Sequence, residues 1–198
     1  MTAQVSINSR IEEREATEDL YFGQVVIITA RYFLIASLVV VMLSLDSSLQ
    51  LATATVPVVV FLAMNFFLHA RYLMGQPANM ALIGVTSAID IALVTTLVVV
   101  GPGGARGMES PLFVLYYPLI LAFGFVVPRR LEVPYTALAI VLYGAAVLLL
   151  DPDTLTSVTD SKLLVLRLMT FAACGGIANY YWRVLRARRR EALAAGAV

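Results

Sequence analysis

Charge is scarce in this chain. Only 14% of its 198 residues are Asp, Glu, Lys or Arg, against about a quarter in an ordinary soluble domain. A single cysteine, Cys174, excludes a disulfide framework, and with a single histidine, His69, it also excludes a Cys/His zinc site. No nucleophile–base pair, no paired carboxylates and no metal-ligand spacing occur, so the sequence gives no reason to expect an enzyme or a bound cofactor. A cleavable leader is also missing. Residues 10–19, RIEEREATED, are mixed and mainly acidic, and the apolar stretch begins only near Gln24, so the first span is expected to stay in the mature protein. The net charge of +1 marks no nucleic-acid partner; only the distribution of charge is informative.

The abundance lies elsewhere. Sixty per cent of the residues are hydrophobic, and they fall in runs near the ~20 residues a helix needs to cross a bilayer. The fold class is therefore an all-α integral membrane protein. Six transmembrane helices are expected, near 24–45, 52–72, 80–100, 111–128, 132–150 and 162–183, preceded by an N-terminal segment 1–23 and followed by a basic tail 184–198. Short connections carry the breakers and charges, such as MGQPAN, GPGGARGMES and DPDTLTSVTD. The stretch VVPRRLEVP has to make a complete turn, and its two arginines with Pro128 and Pro134 suit one. Within 11–22, Ile11, Leu20, Tyr21 and Phe22 offer apolar contact while Glu12, Glu13, Glu15 and Glu18 stay wet, which suggests a short interfacial helix.

Arginine placement sets the expected orientation. Arg10, Arg14, Arg71, Arg129, Arg130 and the cluster from Arg183 to Arg190 fall on one side of a six-span chain, whereas the other receives Arg106 and Lys162 among several acids. By the positive-inside rule both termini are cytoplasmic, and Tyr180, Tyr181 and Trp182 suit an interfacial aromatic belt. GPGGARGMES then lies outside. Four glycines within seven residues suit a tight re-entry with unusual φ values. Ser110-Pro111 reads as an N-cap followed by proline at the first helical position. A phosphate cradle fails: the loop has no lysine for a Walker motif, and a dinucleotide fingerprint from Gly101 would need glycine where Arg106 stands.

Ionisable groups inside spans are costly and point to a function or a pairing. Asp90 lies near the middle of the third span, with Thr86 and Ser87 four and three residues earlier on the same face. It should be protonated, paired, or both. Arg31 in the first span and Arg167 in the sixth are the candidate partners, each within roughly 10 Å along the membrane normal. The pairing serves either helix packing or signal sensing. Transport is disfavoured, since no span is broken mid-membrane and no inverted repeat is visible. Gly84, Ala88 and Ala92, and Ala172 with Gly176 beside Gly175, permit close helix approach within the bundle or between copies. His69 reads as an interfacial residue. Tyr116 and Tyr117, with Phe113, either line an outward pocket or simply pack.

The passage from Asp90 through Gly103, Gly104, Ser110 and Pro111 to the aromatic fourth span and the basic turn at Arg129–Arg130 resembles the multi-span sensor regions of bacterial histidine kinases, whose pattern is roughly D…tGG…SPf…ly…R. Arg31 early in the first span, Arg167 early in the sixth and an arginine-rich exit helix are similar as well. The resemblance implies a sensory or regulatory module in a bacterial inner membrane. It carries no kinase reaction, because RVLRARRREALAAGAV leads into no phosphoacceptor or ATP-binding domain and His69 lacks the acidic residue that follows a phosphoacceptor. The other reading is an accessory subunit packed within a larger membrane complex. The implied partners are the bilayer and further membrane subunits or a second copy.

Overall fold

A computed structural model of the chain describes residues 2–43, 48–76, 78–101 and 104–196, with side chains except at 2–20, 48–51, 53, 189–190 and 192–196. No strand occurs among the described residues. The helices are α1 (Thr2–Met42), α2 (Ser48–Leu73), α3 (Met80–Val100), α4 (Tyr116–Val126), α5 (Arg129–Leu150) and α6 (Val158–Gly196). Short 3-10 turns lie at Gly107–Glu109, Pro111–Leu115 and Pro152–Leu155.

Five apolar stretches are long enough to cross a membrane: Tyr21–Met42, Ala54–Leu73, Met80–Val100, Arg129–Leu150 and Val158–Arg188. Their outer faces carry Phe33, Val40, Val56, Val141, Val165, Met169 and Ile177, each more than half exposed. A water-soluble bundle would put charge there. A continuous apolar coat of this kind needs a hydrocarbon solvent, so the chain is a multi-pass membrane protein.

The shortest helix sits at the centre. α4 packs most extensively against both α1 and α6 and also touches α3 and α5. Tyr116, Leu119, Ile120, Phe123 and Gly124 are buried on its several faces. Pro111–Val126 is apolar throughout, as a helix surrounded by others must be. The preceding 3-10 turn adds reach, at ~2.0 Å per residue against ~1.5 Å in α-helix. The end of α4 meets two neighbours closely. A Cβ on Gly124 would come within 2.5 Å of Ala178 Cβ in α6, and one on Gly23 of α1 would strike Val126.

Those two contacts also fix where the long helices go. α1 has 41 residues and α6 has 39, roughly 60 Å each at ~1.5 Å per residue, twice the ~30 Å of a hydrocarbon core. The part of α1 before Gly23 and the part of α6 after Ala178 leave the bundle at the same end. α1 runs unbroken through position 23, so residues 11–22 continue the first span as one rod rather than forming a separate helix.

The turn before α5 is tighter than VVPRRLEVP suggests. It is confined to Val127 and Pro128, while Arg129, Arg130 and Glu132 form the first turn of α5 and Pro134 lies inside that helix. α3 is closed at both ends by local chemistry. The Asn79 side chain accepts from Leu82 N–H at 2.8 Å, and Gly101, at φ +62°, ends the helix by donating its N–H to Leu97 C=O.

Candidate functional site

Asp90 of α3 and Arg31 of α1 meet in the buried interior, each 1% exposed. Arg31 Nε donates to Asp90 Oδ2 at 2.8 Å, and Nη2 stands 2.7 Å from the same oxygen. Asp90 Oδ1 and both terminal nitrogens of Arg31 have no hydrogen-bond partner among the described residues, so the pair is joined through one carboxylate oxygen, with Nε as the hydrogen-bond donor. Thr86 and Ser87 do not serve the carboxylate. The Thr86 hydroxyl donates back to Ile83 C=O in its own helix at 3.1 Å, and the Ser87 carbonyl accepts from the Tyr135 hydroxyl at 3.2 Å. Tyr135 in turn stacks on Phe123 with ring centroids 3.9 Å apart. The ion pair thus sits beside a contact that joins α3, α5 and α4.

Arg167 is engaged elsewhere, at the opposite end of the bundle from the helix overhangs. Its Nη1 donates to Met108 C=O at 2.9 Å and to the Tyr143 hydroxyl at 2.6 Å, and its guanidinium lies 3.9 Å above the Phe113 ring. Asp151, at the end of α5, accepts the Met108 N–H at 3.0 Å. One residue of the glycine-rich loop, Met108, is therefore gripped on its N–H by an acid and on its carbonyl by an arginine. Gly107 makes this approach possible: it has φ +59°, and a Cβ there would collide with the Asp151 carboxylate. Gly104, at φ +90°, turns the chain in open space; Gly103 lies outside the described residues. Ser110, fully buried, accepts from Leu112 N–H at 3.3 Å and caps the turn that Pro111 opens. That turn is 3-10, and α-helix begins only at Tyr116.

Below this clasp the aromatics close the bundle. Tyr116, Tyr117, Phe113, Tyr143 and Phe171 interlock with centroid separations of 5.1–6.4 Å. Tyr116 shares a hydrogen bond with Thr95 at 2.6 Å and Tyr117 one with Thr170 at 2.9 Å. Their rings fill one another's space and their hydroxyls are used, so these tyrosines form a packed plug.

Comparison of the chain with family models, curated proteins and solved structures finds no match. Its chemistry must be read from these contacts alone.

Gln24 and Glu132 are among the buried polar groups that escaped the sequence reading. Gln24 bridges α1 to the end of α2, donating to Leu68 C=O at 2.6 Å and accepting from Ala78 N–H at 2.8 Å. Glu132, 3% exposed, accepts from Thr136 at 2.9 Å and from Asn179 of α6 at 3.1 Å. Gly175 gives it room, since a Cβ there would come within 2.6 Å of Glu132 Oε1. The spacing of Glu132 and Thr136, one helical turn apart, was the available signal. His69 shares a hydrogen bond with Tyr32 at 2.9 Å. Among the described residues no three His, Cys, Asp or Glu side chains are grouped to hold a metal ion.

Proposed function

We propose that this chain is a non-catalytic sensory or regulatory module of a bacterial inner membrane, crossing it six times with both termini in the cytoplasm. The observation that carries the reading is the continuity of α6. One unbroken helix bears Arg167, which grips the glycine-rich loop, and runs on to Gly196. A change in the grip on Met108 is felt as a tilt or rotation of the helix, because α6 holds no proline and stays helical through the Gly175–Gly176 pair. α1 supplies a second rod, and its Arg31 is tied to Asp90 in α3, so a rearranged ion pair alters the packing between α1 and its neighbours.

The arginine distribution supports the orientation. Arg129, Arg130 and the arginines from 183 onward lie toward the end from which the rods emerge, and the glycine-rich loop then faces outward. The resemblance to kinase sensor regions supports the same assignment, with the exit helix as output.

The test is a distance measurement in lipid nanodiscs, with Cys174 first replaced by alanine. Spin labels at Met74 and Ala187 report the position of the α6 tail against the end of α2. Arg167→Gln should shift or broaden the distance distribution. An unchanged distribution, together with a stoichiometric partner recovered from native membranes, would instead identify an accessory subunit in a larger complex.

A further inference from the structure

We propose that the groove between α5 and α6, at the end of the bundle from which both long helices emerge, seats one anionic phospholipid with its phosphate between Arg129 and Arg183. The groove has a volume of about 340 Å³ and both arginines line it. Both are exposed, and neither forms an ion pair among the described residues. Two guanidinium groups flanking a cleft are a phosphate-binding arrangement. From this mouth the groove runs along the helices to Ile140 and Ala172. α6 rises ~16 Å between Ala172 and Arg183, about half of a ~30 Å hydrocarbon core. A basic mouth over an apolar floor one leaflet deep has the polarity of a phospholipid.

The wall leaves both arginines available. Glu132 lines the groove, but both its oxygens are committed, to Thr136 and to Asn179 Nδ2. Asn179 is 5% exposed and lines the same groove. Its Nδ2 is spent on Glu132, and its Oδ1 has no hydrogen-bond partner among the described residues. Phosphatidylglycerol offers the phosphate, with no headgroup cation to oppose the two arginines, and the chain together. Gly176 keeps the floor low, since a Cβ there would meet nothing within 4 Å. This inference needs only that the chain lies in a bilayer. It stands apart from the signalling role of α6, because its readout is lipid retention and not helix position.

The experiment is native mass spectrometry of the full chain in mild detergent, titrated with dioleoyl phosphatidylglycerol or dioleoyl phosphatidylcholine. The wild-type chain should hold one phosphatidylglycerol about tenfold or more tightly over phosphatidylcholine, as expected for two arginines near the headgroup. Arg129→Gln with Arg183→Gln, both on the surface, should remove most of that preference. Gly176→Phe should fill the floor and release both lipids while the thermal midpoint is kept. The proposal is overturned if the double variant retains the preference, or if glycerol phosphate alone binds as tightly as the intact lipid. It is equally overturned if Gly176→Phe leaves lipid binding untouched and converts a dimer to a monomer, which would give the groove to a second copy.

Discussion

The Asp90–Arg31 pair is the most demanding contact at the scale of single residues, because both charges are withdrawn from water and from lipid alike. Removing one partner of a buried pair strands the other and typically costs ~3–5 kcal/mol, whereas replacing both by apolar groups is often close to neutral. Asp90→Leu and Arg31→Met should each lower thermal stability in detergent strongly, and the double variant should recover much of the loss. Arg167→Met should add to Asp90→Leu with no coupling, since it holds Met108 and Tyr143. A thermodynamic cycle on detergent-solubilised melting checks all three; additivity of Asp90→Leu with Arg31→Met would remove the pair from the account. The presence of a polar centre at Asp90 was legible, because an acid amid Val, Ile and Leu can hardly go unpaired. The choice between two arginines was not, since it depends on which helices are neighbours. Glu132 was hidden for a different reason. Beside Arg129 and Arg130 it reads as part of a charged turn, and only the helical phase of α5 turns it inward.

Among the elements, the glycine-rich loop has the clearest division of labour. Gly101 stops α3, Gly107 lets the backbone meet Asp151, Ser110 caps the next turn, and Arg167 reaches across to hold the Met108 carbonyl. Gly107→Ala sets a Cβ against the Asp151 carboxylate in a left-handed backbone conformation, a strain of ~1–3 kcal/mol. It should raise amide hydrogen exchange at 107–110 and leave α2 unchanged, as read by mass spectrometry. Gly104→Ala, whose Cβ meets nothing, bears the backbone strain without the collision and should have the smaller effect. Uniform exchange across the loop in both variants would mean that the Met108 clasp contributes little. The glycines and the Ser-Pro helix start could be read from residue type, because φ preferences and capping are local. The clasp could not, because Asp151 and Arg167 come from distant parts of the chain.

At the scale of the whole molecule, the apolar runs predicted the helices well, since length and hydrophobicity are properties of each segment alone. Met80–Val100 matches its expected bounds, and the fourth segment closes at Val126 where 128 was expected. What stayed invisible was the placement of that short segment at the centre, a matter of contact between helices far apart in sequence. In the proposed orientation, single cysteines at Gly104 and Ala195, in a chain with Cys174→Ala, should react with an impermeant maleimide from opposite faces of sealed vesicles. Labelling of both from one face would reverse the assignment. The central position of α4 also bears on how the protein is made. Its main flanks are α1, made well before it, and α6, made well after it. A nascent chain that has released α5 but not α6 holds its core helix with one side uncovered, and Gly124 has no Ala178 to meet. Assembly therefore completes only after translation has passed α6, and chains stalled before it should be cleared by membrane quality control in preference to full-length ones.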